Sequence, residues 1–309
     1  MVEVVVAIPT FRRPRSLARL LAALEKIETE AKVTVVVADN DAERHAGYDL
    51  CLTLRDRGYR WALDPVIAAE RGISHARNAL VERALSYRGA GFVAMLDDDE
   101  WPSPQWLDQF LRVQRETQAD ALQGSILFEF ASAPKSWAAG FDGLSSIRRP
   151  TGPQPMLEGA GNLLLTRSCL ERLERPWFDP AFALTGGEDR DFFERLVRAG
   201  NRLAWADEAT AFTVVPASRT SLRWTLVRAY RIGNTEMRIF QKHRPQFRAT
   251  VREYAKIALA LLLTPVLLVI LAAVPNRAAD ALRRFFRNVG KISALMGRRY
   301  NEYAVTHGE

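Results

Sequence analysis

The feature that most limits what this chain can become is a short apolar run that ends in acid. Residues 91–101 read GFVAMLDDDEW. Phe92, Val93, Ala94, Met95 and Leu96 show no polar alternation, as expected of a strand buried on both faces of a sheet. Four carboxylates follow without a break: Asp97, Asp98, Asp99 and Glu100. Such crowding is costly by mutual repulsion unless water solvates it or a cation sits within it, and hard oxygen donors of this kind suit Mg²⁺ or Mn²⁺. Beyond the acids, Ser103 as N-cap, Pro104 at the first helical position and Trp106, Leu107, Phe110, Leu111 and Val113 as an apolar stripe predict a helix. A strand thus delivers its acids to a rim and a helix turns back. A plain solvated acidic turn is the competing reading.

The same pattern occurs upstream. Residues 2–8, VEVVVAI, read as a buried parallel strand stopped by Pro9 and Thr10. A helix is predicted over 14–27, with Leu17, Leu20, Leu21 and Leu24 on one face. A second strand at 33–37 ends in Ala38, Asp39, Asn40 and Asp41, and a weaker third strand is predicted near 59–63. A helix over 72–86 carries Ala76, Arg77 and Asn78 near its start. This β-α-β-α-β order predicts an α/β chain with a mostly parallel sheet and helices on both faces. Ligands of such sheets bind beyond the carboxyl ends of the strands, so the segments at Pro9, at Asp39 and at 97–100 should meet on one rim. No Gly-x-Gly-x-x-Gly or Walker loop follows the first strand, which argues against a dinucleotide-binding domain or a phosphate-loop ATPase. A pyrophosphate on this rim would need metal and arginine to neutralise it.

A second acidic candidate is Gly186-Gly187-Glu188-Asp189, followed by Phe192, Phe193, Leu196 and Val197 at helical spacing. The glycines suit a flexible turn against a substrate. Capping of the helix is the competing role for the two acids. Between the acidic motifs, residues 145–156 (SSIRRPTGPQPM) suit no regular element and read as a loop, mobile over a cleft. Gly159-Ala160-Gly161-Asn162 leads into three leucines. Trp137 and Trp177 are candidates to stack on a flat ligand face, against the commoner core role. The four histidines show no metal-ligand spacing. Two distant cysteines, Cys51 and Cys169, and a start without signal-peptide character fit a reduced, cytoplasmic setting.

Charge divides the chain. Up to Ser218 there are 26 basic and 31 acidic residues, whereas from Arg219 onward there are 17 basic and 5 acidic. The basic part also holds the most apolar segment, 257–274, interrupted only by Thr264 and Pro265. As a straight helix this spans about 27 Å, short of a hydrocarbon core of about 30 Å. Basic residues flank it on both sides, so a single crossing would oppose the positive-inside tendency. A helix broken at Pro265 that dips in and returns, or lies in the interface, keeps both flanks on one side. Residues 279–295 then suit an amphipathic surface helix. An anionic membrane surface explains charge and hydropathy together better than nucleic acid does. A soluble hairpin packed on the rest of the chain or on a second subunit is the competing reading.

Five motifs in this order, AIPTFRRPRSLARLL, VVVADND, GISHARNAL, FVAMLDDDEWPSPQWL and GGEDRDFFERL, resemble a family 2 glycosyltransferase over residues 2–235. The stretch 205–233, with Pro216, Arg219, Trp224, Arg228 and Gly233, is similar to the branch that makes bacterial exopolysaccharides of the succinoglycan type. The resemblance implies a GT-A fold with a catalytic domain over 1–235, its nucleotide-binding half about 1–100 and its acceptor half about 101–235; charge and hydropathy make 236–309 the membrane-associated helical tail. It implies a nucleotide-sugar donor, favoured as UDP, and a divalent metal, Mg²⁺ or Mn²⁺, on Asp97 and Asp99. Pro9, Thr10, Arg12, Asp39, Arg77, Asp97 and Asp98 would line the nucleotide site, unless the flanking ones are ordinary surface ion pairs. Asp189, with Glu188, would supply the general base of an inverting transfer. The expected reaction adds one sugar to a lipid-linked saccharide on the cytoplasmic face of the bacterial inner membrane. A sugar nucleotidyltransferase and a non-catalytic membrane scaffold are the alternatives.

Overall fold

The computed structural model describes residues 1–131, 144–271 and 273–302. The first half alternates as expected: β1 (Glu3–Thr10), α1 (Pro14–Leu24), β2 (Lys32–Asp39), α2 (Ala46–Asp56), β3 (Ala62–Ile67), α3 (Ile73–Ser86) and β4 (Phe92–Met95). Then come β5 (Glu100–Pro102), α4 (Trp106–Thr117), β6 (Ala121–Phe130), β7 (Gly152–Gln154), β8 (Leu163–Thr166), α5 (Arg167–Arg172), α6 (Glu188–Arg198) and β9 (Leu203–Val215). The strands form one mixed sheet in the order β3-β2-β1-β4-β8-β6-β9-β5, with β7 also on β9. Strands β3, β2, β1 and β4 run parallel. Beyond them β8 pairs antiparallel with both β4 and β6.

The lack of alternation in β1 and β2 follows from burial on both sides. Val4, Val6, Ile8, Val35 and Val37 point into one core with α1 and α4, and Val5, Ala7, Val36 and Ala38 into a second with α3 and α6. Leu17, Leu20, Leu21 and Leu24 of α1 are fully buried, each burial stabilising by about 1.5–3 kcal/mol. Register then sets the rim: Thr10 lies beside Asp39, and Ala7 beside Met95, so the carboxyl ends of three strands open on one side.

Local expectations shift in several places. The third strand lies at 62–67 rather than 59–63, because Tyr59 and Trp61 donate to the Leu21 and Leu24 carbonyls at the end of α1. Pro65 is accommodated there because β3 is an edge strand. Helix α4 begins at Trp106, since Glu100–Pro102 is drawn out to pair with β9 and the Ser103 N–H donates to the Thr210 carbonyl. The segment 145–156 is tied down rather than loose: Ile147 bridges to Ile126 and Gly152–Gln154 pairs with β9.

Three long helices close the chain: α7 (Leu222–Lys242), α8 (Phe247–Ile270) and α9 (Pro275–Leu295). Helix α7 runs through the expected boundary at 235. Helix α8 is not broken at Pro265 but continues through it, with the Thr264 hydroxyl donating to the Ala260 carbonyl. The reversal comes between Ile270 and Pro275. Helix α9 buries small residues, Ala279, Ala281, Gly290, Ser293 and Ala294. A Cβ on Gly290 would lie 2.0 Å from the Tyr230 carbonyl oxygen, and one on Gly233 would meet the Arg287 carbonyl oxygen, so the two glycines permit a close α7–α9 crossing.

Candidate active site

The strand tips line a cleft of about 360 Å³ that includes Pro9, Thr10, Arg77, Asp97, Asp98 and Asp99. The three aspartates have different surroundings. Asp98 is buried, accepts from the Thr10 hydroxyl at 2.8 Å and from Arg13 Nη1 at 3.1 Å, and so fastens the β4 tip to the β1 tip. Burial pushes its carboxyl up to about 7, helped by Asp99 and Asp97 and opposed by Arg13 and Thr10. Asp97 and Asp99 keep side-chain exposures of 38% and 29%. Asp97 accepts from Arg77 Nη2 at 3.0 Å, and Asp99 from Arg13 Nη1 at 3.2 Å.

Glu100 is buried under them and accepts from the Asp97 N–H. Burial, reinforced by Asp97 and Asp99, raises its carboxyl well above the ordinary range. The backbone passes so close here that a Cβ on Gly161 would stand 2.5 Å from Glu100 Oε1 and 3.2 Å from Asp97 Oδ2. Asn162 next to it is buried, accepts from Trp106 Nε1 and donates to the Ser125 and Ala209 carbonyls, fixing this approach.

Glu188 and Asp189 stand at the start of α6; neither lines the cleft itself, but Glu188 pairs with Arg77, which does. Glu188 is buried, with one oxygen paired to Arg77 and the other without a partner among the described residues. Burial pushes it up to about 7, opposed by Arg77 and reinforced by Asp189 and Asp97. Arg77 therefore bridges Asp97 and Glu188, joining the two acidic motifs through one guanidinium. Asp189 is half-buried, and its Oδ2 lies 3.6 Å from where a Cβ on Gly159 would sit. Asp189 Oδ1 accepts from the Arg190 N–H at 2.6 Å, so this acid also satisfies a free backbone donor in the first turn of α6, where the N-cap residue Gly187 has no side chain to do so. Gly186 and Gly187 have φ of 72° and 93°. A Cβ on Gly187 would collide with Thr235, so this glycine serves the packing of the turn on α7. Helix α7 reinforces the turn: Arg238 donates to Thr185 and the Ala181 carbonyl, and Lys242 and His243 contact Asp191.

Other predicted residues stand aside. Asp39 is buried, with its carboxylate accepting from the N–H groups of Asp41, Gly47 and Tyr48, and so caps the start of α2. Arg12 pairs with Asp41 at 2.6 Å, which holds the Asp41 carboxyl below its ordinary value. Trp177 is core, its indole donating to the Leu170 carbonyl. Trp137 lies outside the described residues. Sequence reasoning missed Arg13, whose signal was its place in the Phe11-Arg12-Arg13-Pro14 run at the β1 tip. It also missed Asn40, which accepts from the Gly72 N–H and donates to the Ala68 and Glu70 carbonyls, shaping the cleft edge.

Among the described residues no group of three or more His, Cys, Asp or Glu side chains is arranged to hold a metal by itself. Asp97 and Asp99 fit a different arrangement, in which one or two carboxylates share a hard cation with phosphate oxygens of a ligand.

Residues 5–171 match the model of a family described as Glycosyl transferase family 2. The chain is 32% identical over 236 residues to the succinoglycan biosynthesis protein ExoM of Rhizobium meliloti (strain 1021), covering 76% of this chain and 74% of that protein. In fold it is similar to the mannosyltransferase PcManGT from Pyrobaculum calidifontis in complex with GDP-Man and Mn²⁺, with a TM-score of 0.64, 17% identity and coverage of 96% and 88%. It is also similar to S. aureus TarS 1-349 in complex with UDP, with a TM-score of 0.51, 15% identity and coverage of 97% and 93%.

Proposed function

This chain belongs to glycosyl transferase family 2, and from that premise we propose that it moves one sugar, with inversion, from a nucleotide-diphosphate sugar to a lipid-linked saccharide in exopolysaccharide synthesis. UDP is the nucleotide we favour. The observation that carries this reading is the Arg77 bridge between Asp97 and Glu188, because it ties the start of α6, where Asp189 follows Glu188, to the rim that would hold the diphosphate. Asp189 takes the proton of the acceptor hydroxyl as its oxygen attacks the anomeric carbon. The bond from that carbon to the diphosphate oxygen breaks on the opposite face, and its electron pair leaves with the nucleoside diphosphate. Proton transfer to Asp189 accompanies attack rather than preceding it. Arg77 and Arg13 place positive charge where the leaving group gathers negative charge. A divalent cation on Asp97 and Asp99 would neutralise the same phosphates when bound.

The tail supports a membrane-bound acceptor. Helix α8 is the one described helix long and apolar enough to cross a membrane. It nevertheless lies along α9, with Ile257 and Thr264 buried while Leu262, Val269 and Ile270 are 72%, 79% and 68% exposed. A helix held laterally against polar α9 suits the plane of the interface better than a crossing, with Arg248, Arg252 and Lys256 on anionic headgroups of the cytoplasmic leaflet. The test is sugar transfer by the full chain from a panel of nucleotide sugars with Mn²⁺ and a lipid-linked acceptor extract. Asp189→Asn should lose transfer by about a thousandfold while still binding UDP. Full transfer by Asp189→Asn, or turnover of none of the donors by the unaltered chain, would sink the proposal.

A further inference from the structure

One wall of the cleft has no role in the reaction just described. Opposite the strand tips, Arg219 in a short helical turn and Arg228 and Arg231 on α7 line the same cavity. Arg228 lies over the ring of Trp224, 5.2 Å from its centroid. Among the described residues neither Arg219 nor Arg228 has a carboxylate within ion-pair distance, and Arg231 has only Glu302 at 3.4 Å, near the end of the described chain. Burial, with the like charges of Arg231 and Arg219, pulls the Arg228 guanidinium down to about 10. Three crowded cations with one counter-charge are stabilised by an added anion.

We propose that Arg219, Arg228 and Arg231 bind the diphosphate that links the acceptor saccharide to its lipid. Two placements favour acceptor over donor. The strand tips already have Arg13 and Arg77 in contact with Asp97, Asp98 and Asp99, whereas Arg228 feels the field of Asp189, the group assigned to the acceptor hydroxyl. The wall also adjoins the greasy end of the tail: Ala279, in the first turns of α9 just after α8 ends, is buried with Val215 against Trp224. A diphosphate on these guanidiniums would have its saccharide toward Asp189 and its lipid toward the exposed apolar end of α8. Bidentate guanidinium contacts suit phosphate oxygens, and the Glu302 carboxylate on Arg231 marks where one would be displaced.

This rests on the sugar-transfer reading for the acceptor's identity, so the test is binding in EDTA. Octyl diphosphate is titrated calorimetrically into the full chain, with inorganic pyrophosphate and a neutral octyl glycoside as comparison probes. Octyl diphosphate should bind more tightly than either. Arg228→Gln should weaken it by about tenfold or more, as should Arg219→Gln, which sits in a surface turn and guards against misfolding of the first variant. Asp99→Asn should leave it unchanged. Equal binding of inorganic pyrophosphate would mean recognition of a free phosphate and overturn the lipid-linked assignment. Displacement of octyl diphosphate by UDP would give the wall to the donor and overturn it too, as would unchanged affinity in both variants. Binding that persists in a protein that turns over no nucleotide sugar would keep the wall and count against the reaction alone.

Discussion

Arg77→Met should destabilise the protein in a way that depends on pH. In the folded chain Glu188 is raised from 4.5 to about 7 by burial, and Arg77 is the largest influence holding it down. A carboxyl raised on folding adds stability that is fully present below its unfolded value and is lost as pH rises through its folded one. Without Arg77 the folded value moves higher still, so Glu188 is protonated in both proteins near pH 6 but ionised only in the unaltered one near pH 9. Breaking a buried ion pair costs about 3–5 kcal/mol, which corresponds to at least about two pH units. Near pH 6 the variant should lose about 1–2 kcal/mol from the Asp97 hydrogen bond and the contact over the Phe178 ring. Near pH 9 the loss should be about 3 kcal/mol larger. The raised carboxyls of Asp98 and Glu100 are present in both proteins and largely cancel. Urea unfolding followed by tryptophan fluorescence at the two pH values measures the difference. Adding Glu188→Gln to the variant should flatten it. An equal loss at both pH values would refute the buried pairing of Arg77 with Glu188.

Three further outcomes are expected. Asp99→Asn should abolish the thermal upshift that UDP with Mn²⁺ gives the unaltered chain, while Asp108→Asn, exposed in the first turn of α4 and outside the cleft lining, should retain it, as a differential melting scan would show. Gly290→Ala removes a poor helix former but drives a methyl to 2.0 Å from the Tyr230 carbonyl oxygen. Overpacking of about 1–3 kcal/mol against a propensity gain of about 1 kcal/mol leaves a net loss of up to about 2 kcal/mol, with faster amide exchange in α8 and α9. A stabilised variant would disprove the close crossing. The full chain should float with phosphatidylglycerol vesicles at low salt, and Leu262→Glu with Val269→Glu should release it, since two apolar side chains in lipid contribute about 3 kcal/mol or more. Flotation unaffected by the pair would exclude α8 as the contact.

The acidic rim was legible because its cause is local. A strand buried on both faces must be apolar throughout, so the polar residues that end β1, β2 and β4, Thr10, Asp39 and Asp97, mark the sheet's edge whatever the rest of the chain does. What the carboxylates do at that edge was less legible, because the deciding partners are distant in sequence. Asp39 looks like a ligand group until α2 is known, and α2 buries only Gly47 and Cys51, too little to show as an apolar stripe. Arg77 looks like one charge on a helix until the fold brings Glu188, 111 residues on, into contact with it. The antiparallel half was hidden because β9 carries Asp207 and Glu208 in its middle, where the β6 pairing shifts register. Gly233 and Gly290 were readable in principle, since a glycine inside an otherwise good helix costs about 1 kcal/mol and is kept where another backbone must pass. Helix α7 links these gaps. It packs on the Gly187 turn, crosses α9 at its own glycine and carries Arg228 and Arg231 on the cleft wall. Asp97, Asp98 and Asp99 are therefore a property of where a strand stops, and Arg77, which makes Asp97 compatible with Glu188, is a property of how α3 meets the start of α6.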